Sequence, residues 1–277
     1  MGYIYRARAA LLPYITLFKI RIIVGLQYRI AAWAGLATQF AWGFLNIMLF
    51  YAFYTENPAN FPMTFEQFAA HTWLNQALLM IFVVYVWDAS LFDSITSGNI
   101  AYELARPADL YNMWLVKNMA NRVAGVALRF LPVLVVAALL PKPFGLVPPA
   151  DILTFCLFVL SALLAFILVN LYCMFFYIFG FYTINSSGIR MLGCTLSDLL
   201  SGFIIPLPFY PAPVLKIIYV LPFASMQNVP LFIYSGYISK EEAITRIGTQ
   251  LFWIIIFYIS GRSMIKHALK RIIVQGG

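Results

Sequence analysis

Charge is what this chain has least of. Asp, Glu, Lys and Arg supply only 10% of its 277 residues, hydrophobic residues supply 63%, and the mean hydropathy is +0.86. A soluble domain carries roughly a quarter charged residues, so the composition excludes one and indicates an all-α polytopic membrane protein. Cysteine is scarce as well. Cys156, Cys173 and Cys194 lie inside apolar runs and form no Cys-x-x-Cys pair, which excludes a disulfide framework and reads as small packing residues. The only histidines, His71 and His267, fall at opposite ends of the apolar body, and a metal site needs ligands that converge.

Catalytic motifs are missing too. There is no Gly-x-x-x-x-Gly-Lys phosphate loop and no Gly-Lys pair of any kind, no His-Glu-x-x-His and no Gly-x-Ser-x-Gly elbow. These absences point away from covalent chemistry, and no cofactor is expected in the chain itself. No cleavable signal pattern is expected, because Pro13, Lys19 and Arg21 interrupt the first apolar run. The net charge of +8 suits nucleic acid only if Lys and Arg cluster on a soluble face. Here they flank apolar runs, which is the pattern that orients a protein in a bilayer, so lipid and not nucleic acid is the expected partner.

What is present reads as six spans. Residues 1–29 carry Arg6, Arg8, Lys19, Arg21 and Arg29 among aromatics, too much charge for a span but suited to an elbow helix in the headgroup layer. Spans are expected over 30–54, 69–87, 114–140, 152–179, 191–205 and 244–264. Pro206, Pro208, Pro211, Pro213, Pro222 and Pro230 punctuate the apolar stretch 206–238, which forbids one continuous helix and predicts short re-entrant helices between the fifth and sixth spans. A basic tail, 265–277, follows. In this arrangement every basic residue except Lys142, Lys216, Lys240 and Arg246 falls on one side, so both termini are expected in the cytoplasm of a cell, inner or plasma, membrane.

Between the second and third spans, residues 88–113 form a cytoplasmic loop that includes the polar stretch from Ser97 to Leu110. Gly98 and Asn99 can start a turn, Ile100 to Ala105 can form a short helix, and Pro107 ends it. Glu103 and Arg106 are spaced to meet on one face, with Ile100 and Leu104 as an apolar edge. The spacing fits a docking helix and equally a solvated loop. Two charges fall at membrane depth, Arg129 in the third span and Asp198 in the fifth. They are expected to pair or to line a polar vestibule, the alternative being that Arg129 snorkels and Asp198 caps nearby backbone. Gly193, Ser197 and Ser201, spaced by four, offer a strip where another helix can approach, within the subunit or across a dimer.

The segment Gln27-Tyr28-Arg29 at the end of the elbow, the Gly98-Asn-Ile-Ala-Tyr-Glu103-Leu-Ala-Arg106-Pro107 segment, and the run from Ser201-Gly-Phe-Ile-Ile-Pro206 to Leu221-Pro222-Phe223 resemble the permease subunits of ABC-2 type ATP-binding-cassette exporters. That resemblance implies a coupling helix seated in a cleft of the ATPase, with Gly98, Glu103, Leu104, Arg106, Pro107 and Asp109 in that role. It also implies two separate ATPase subunits that bind ATP and Mg, and a second permease copy, either an identical chain or a paralogue. The substrate would be an amphipathic drug, lipid or peptide, passing along an interface lined by the first, second and fifth spans. Two other classes compete: a stand-alone channel or secondary transporter, for which no internal repeat is found, and a membrane-embedded enzyme with an unrecognised site.

Overall fold

The structure is a computed structural model and describes residues 2–27, 29–183 and 186–270. Tyr28 and Arg271, and the side chains of Arg6, Arg8 and Arg29, lie outside the described residues. Among the described residues there are helices and turns and no strand. They run α1 (Gly2–Leu26), α2 (Arg29–Glu56), α3 (Phe65–Ala77), α4 (Leu79–Phe82), α5 (Ala89–Thr96), α6 (Ile100–Leu104), α7 (Leu110–Ala127) and α8 (Phe130–Leu139). After these come α9 (Ile152–Phe179), α10 (Ser187–Leu200), α11 (Ala212–Val220), α12 (Pro222–Met226), α13 (Asn228–Ser235) and α14 (Lys240–Leu269).

Four stretches are long and apolar enough to cross a membrane: Ala32–Glu56, Leu110–Leu139, Ile152–Phe179 and Lys240–Leu269. The second is α7 and α8 in line, broken at Leu128 and Arg129. Pro132 has no N–H to give the Leu128 carbonyl, so the helix opens there. α9 forms the spine, packed along α14 and α13, while α1 lies along α7. Leu168, Cys173 and Tyr177 of α9 and Trp114 of α7 are fully enclosed in this core.

The apolar run 69–87 is not one helix. α3 starts on a reciprocal cap, in which the Gln67 N–H donates to Thr64 Oγ1 at 3.2 Å and the Thr64 N–H donates to Gln67 Oε1 at 3.0 Å. It then stops at Leu78, and after α4 the chain leaves the helix at Val83 and turns at Val84 and Tyr85. The run 191–205 also differs from a single span: α10 begins earlier, at Ser187, and ends at Leu200. Gly202, at φ +80°, then turns the chain into the proline-rich stretch, a left-handed conformation that favours glycine.

That stretch folds as α11, α12 and α13, and side chains from the long helices take up its free backbone groups. Gln250 of α14 donates to the carbonyls of Ser161, at 3.1 Å, and Ser225, at 2.9 Å, and accepts from Ser161 Oγ at 3.0 Å. Trp253 Nε1 donates to the Val220 carbonyl at 3.0 Å. Backbone groups away from water must find such partners, and these bonds tie α11 and α12 to α14, and α14 to α9.

Candidate functional site

Two regions carry the chemistry: a short helix at one end of the bundle and a cavity inside it, and one clamped segment joins them. The short helix is α6. Gly98, at φ +78°, makes the turn that starts it. Glu103 points inward, where its carboxylate accepts from Trp114 Nε1 at 2.6 Å and Lys117 Nζ at 2.5 Å, both on α7. The expected face shared by Glu103 and Arg106 therefore does not form. No ion pair joins the two among the described residues, because α7 supplies a half-buried carboxylate with better donors. The apolar edge also divides: Ile100 is buried, while Tyr102 (75% exposed) and Leu104 (39% exposed) face outward with Arg106 and Pro107.

Both ends of the loop are fixed to the body. Asp88 caps α5, its N–H donates to the Tyr177 hydroxyl at 2.8 Å, and its carboxylate pairs with Arg21 of α1 at 3.6 Å. Asp109 caps α7 by accepting from the Asn112 N–H at 3.0 Å, pairs with Arg262 of α14 at 3.1 Å, and donates its own N–H to Tyr14 of α1 at 3.1 Å. Asp109 thus serves the loop's own anchorage. The exposed surface includes Gly98, Tyr102, Leu104, Arg106, Pro107 and part of Asp109.

Burial alone would raise the Glu103 carboxyl, but the hydrogen bonds from Lys117 and Trp114 outweigh it and hold the group below its ordinary 4.5. A depressed carboxyl contributes stability above its unfolded value and loses it as pH falls through the folded one. The anchorage of α6 is therefore expected to be complete at neutral pH and to loosen only below 4.5. Tryptophan emission, as the difference between the native chain and Glu103→Gln, should titrate with a midpoint below that value. A midpoint above it would contradict the depressed carboxyl.

Above α6, Arg122 of α7 is completely buried. Its Nη1 donates to the carbonyls of Met80, Ile81 and Val83 at 3.3, 3.3 and 2.5 Å, and its Nη2 donates to Val86 O and Cys173 Sγ, both at 3.1 Å. One guanidinium thus fills the carbonyls that the interrupted α3–α4 helix leaves open. The sequence places Arg122 in the first half of the third span, among the basic residues counted on the cytoplasmic side, and the structure encloses it within the bundle. Nothing in the sequence ties Arg122 to 80–86 except that it is a charge on an apolar helix.

Arg129 and Asp198 do not pair. Among the described residues no ion pair joins them. The Arg129 guanidinium lies against Gly35 of α2, where a side chain would collide with it, and Nη1 reaches Met80 Sδ at 3.5 Å. The small strip on α10 packs inside the subunit: Phe176 of α9 occupies the space over Gly193, Ser197 is buried, and Ser201 Oγ donates to Gln227 Oε1 at 3.2 Å.

The cavity, about 380 Å³, lies between α2, α3 and the chain after α10. One face of α3 lines it with His71, Thr72, Asn75 and Gln76, and Trp42 and Tyr85 are also in its wall. Behind this face runs a buried polar chain. His71 Nε2 lies 2.8 Å from Asn228 Oδ1, Asn228 Nδ2 donates to the Ser201 carbonyl, and Gln227 Nε2 donates to Asn75 Oδ1 at 2.9 Å. Sequence reasoning passed over this row because it lies inside an apolar run. The signal was there in His71-Thr72 and Asn75-Gln76, polar pairs spaced to share a helix face.

Four apolar stretches of spanning length around a buried polar interior define a multi-pass membrane protein. The model for ABC-2 family transporter proteins matches residues 40–276, and the chain belongs to that family. Members are membrane transport components that generally work with ABC ATPases. A comparison with curated proteins found no match.

Proposed function

We propose that the chain is the permease subunit of an ABC-2 type exporter, driven by two separate ATPase subunits that bind ATP and Mg and paired with a second permease copy, identical or paralogous. α2, α3–α4, α7–α8, α9, α10 and α14 are the six crossings, α1 is the interfacial elbow, and α11 to α13 are re-entrant. Both termini face the cytoplasm, and α6 is the coupling helix.

The observation that carries this reading is the division of labour on α6. Its inner side is bonded to α7 through Glu103, while Tyr102 and Leu104 on its outer side, and Arg106 just past its end, are exposed. Large apolar side chains are kept in water at a partner's contact surface. Closure of the ATPases would push α6. Trp114 and Lys117 would pass the push to α7, and Arg122 would pass it to the interrupted helix whose upper part, α3, lines the cavity. A nucleotide-biased switch between two arrangements of this linkage would alternate access to the substrate.

Copurification tests the docking. Native chain should retain its ATPase, and Tyr102→Asp or Arg106→Glu should reduce recovery about tenfold or more, as loss of an interface anchor does. Vesicles that hold this chain alone and move substrate without ATP would overturn the assignment.

A further inference from the structure

We infer that the cavity between α2, α3 and the chain after α10 binds an uncharged amphiphile whose head group carries several hydroxyl or amide groups, held by Gln76 and Thr72. The inference rests on the permease reading only in making this ligand the cargo.

Gln76 and Thr72 are 5% and 6% exposed, both line the cavity, and neither side chain has a hydrogen-bond partner among the described residues. Asn75 and His71 beside them are committed to Gln227 and Asn228. The polar groups of Gln76 and Thr72 open on the cavity with no protein partner among the described residues, so a ligand there can supply the bonds that the protein leaves unmade. Gln76 offers both donor and acceptor, as does Thr72, which matches hydroxyl and amide groups and gives neither sign of charge an advantage.

The lining contains no Asp, Glu, Lys or Arg. A charged head group would lose its hydration and find no counter-ion in the wall. About 380 Å³ is near the low end for small-molecule sites, about 300–1,000 Å³, and accommodates a head group. Beside it, Trp42, Leu45 and Leu49 are exposed along one face of α2, where an alkyl chain can lie. The aromatic rings of Trp42, Phe68 and Tyr85 would attract a cation as well, so the test must set charge against neutrality.

The experiment uses the full chain in nanodiscs and three octyl-chain probes below their micellar concentrations: octyl glucoside, octyltrimethylammonium and octyl sulfate. Binding is read from Trp42 emission, with Trp42→Phe as the blank. The glucoside should saturate about tenfold more tightly than either charged probe, and Gln76→Met and Thr72→Val should each weaken it by up to about tenfold, the loss of one or two hydrogen bonds. Neither variant breaks a bond of the fold, so the unfolding midpoint should stay in place. Equal or tighter binding of the ammonium or the sulfate, or unaltered glucoside binding by Gln76→Met, would overturn the inference. No ATPase is present in this assay, so a failure here leaves the docking result standing, and a failed copurification leaves this binding intact.

Discussion

Arg122→Met is expected to cost the fold about 4 kcal/mol, the scale of leaving a buried hydrogen-bonded network without its charged member. The guanidinium fills the carbonyls of Met80 and Ile81 in α4 and of Val83 and Val86 in the non-helical chain that follows it. Methionine matches its volume and supplies no donor, so those carbonyls would face apolar side chains. Lysine should rescue little, because a single ammonium cannot span carbonyls that the planar fork reaches from two nitrogens. Thermal unfolding of the purified chain checks this, and an unchanged midpoint in Arg122→Met would show that 80–86 is held by other means.

Glu103→Ala should separate docking from transport. Removing the carboxylate frees Trp114 and Lys117 from α6 and leaves Tyr102, Leu104 and Arg106 on the surface. The ATPase should still copurify, while ATP-driven transport should fall about tenfold or more, the range of ordinary coupling free energies. Glu103→Gln, which keeps an acceptor for the indole, should lie between. If Glu103→Ala released the ATPase as completely as Arg106→Glu, Glu103 would belong to the docking face and the inward anchor would have no mechanical role.

Arg122 also shows where sequence reading stops. The apolar run 69–87 contains no proline or glycine, so nothing local announces an end at Leu78. The interruption is maintained from outside, by a residue more than thirty positions later whose side chain replaces the lost helical bonds. Glu103 is similar. Spacing on its own helix put it beside Arg106, but α7 brought two donors to it from positions that no local pattern connects. Arg129 and Asp198 drew notice as charges at depth, and the fold set Gly35 and Met80 against Arg129 instead of the carboxylate.

What the sequence by itself determined is the material of the protein: apolar runs of membrane length, prolines that forbid a continuous helix over 206–238, and a polar segment around Glu103 closed by Pro107. Composition and local backbone chemistry are enough for these, because hydrophobic burial and the missing proline N–H act at each residue regardless of its distant neighbours. Only the tertiary structure decided which side of α6 is exposed, that Arg122 fills carbonyls left open after α4, and that the polar face of α3 meets a cavity. Those outcomes depend on which helices pack together, and buried hydrogen-bonding groups take whatever partner the packing places within about 3 Å.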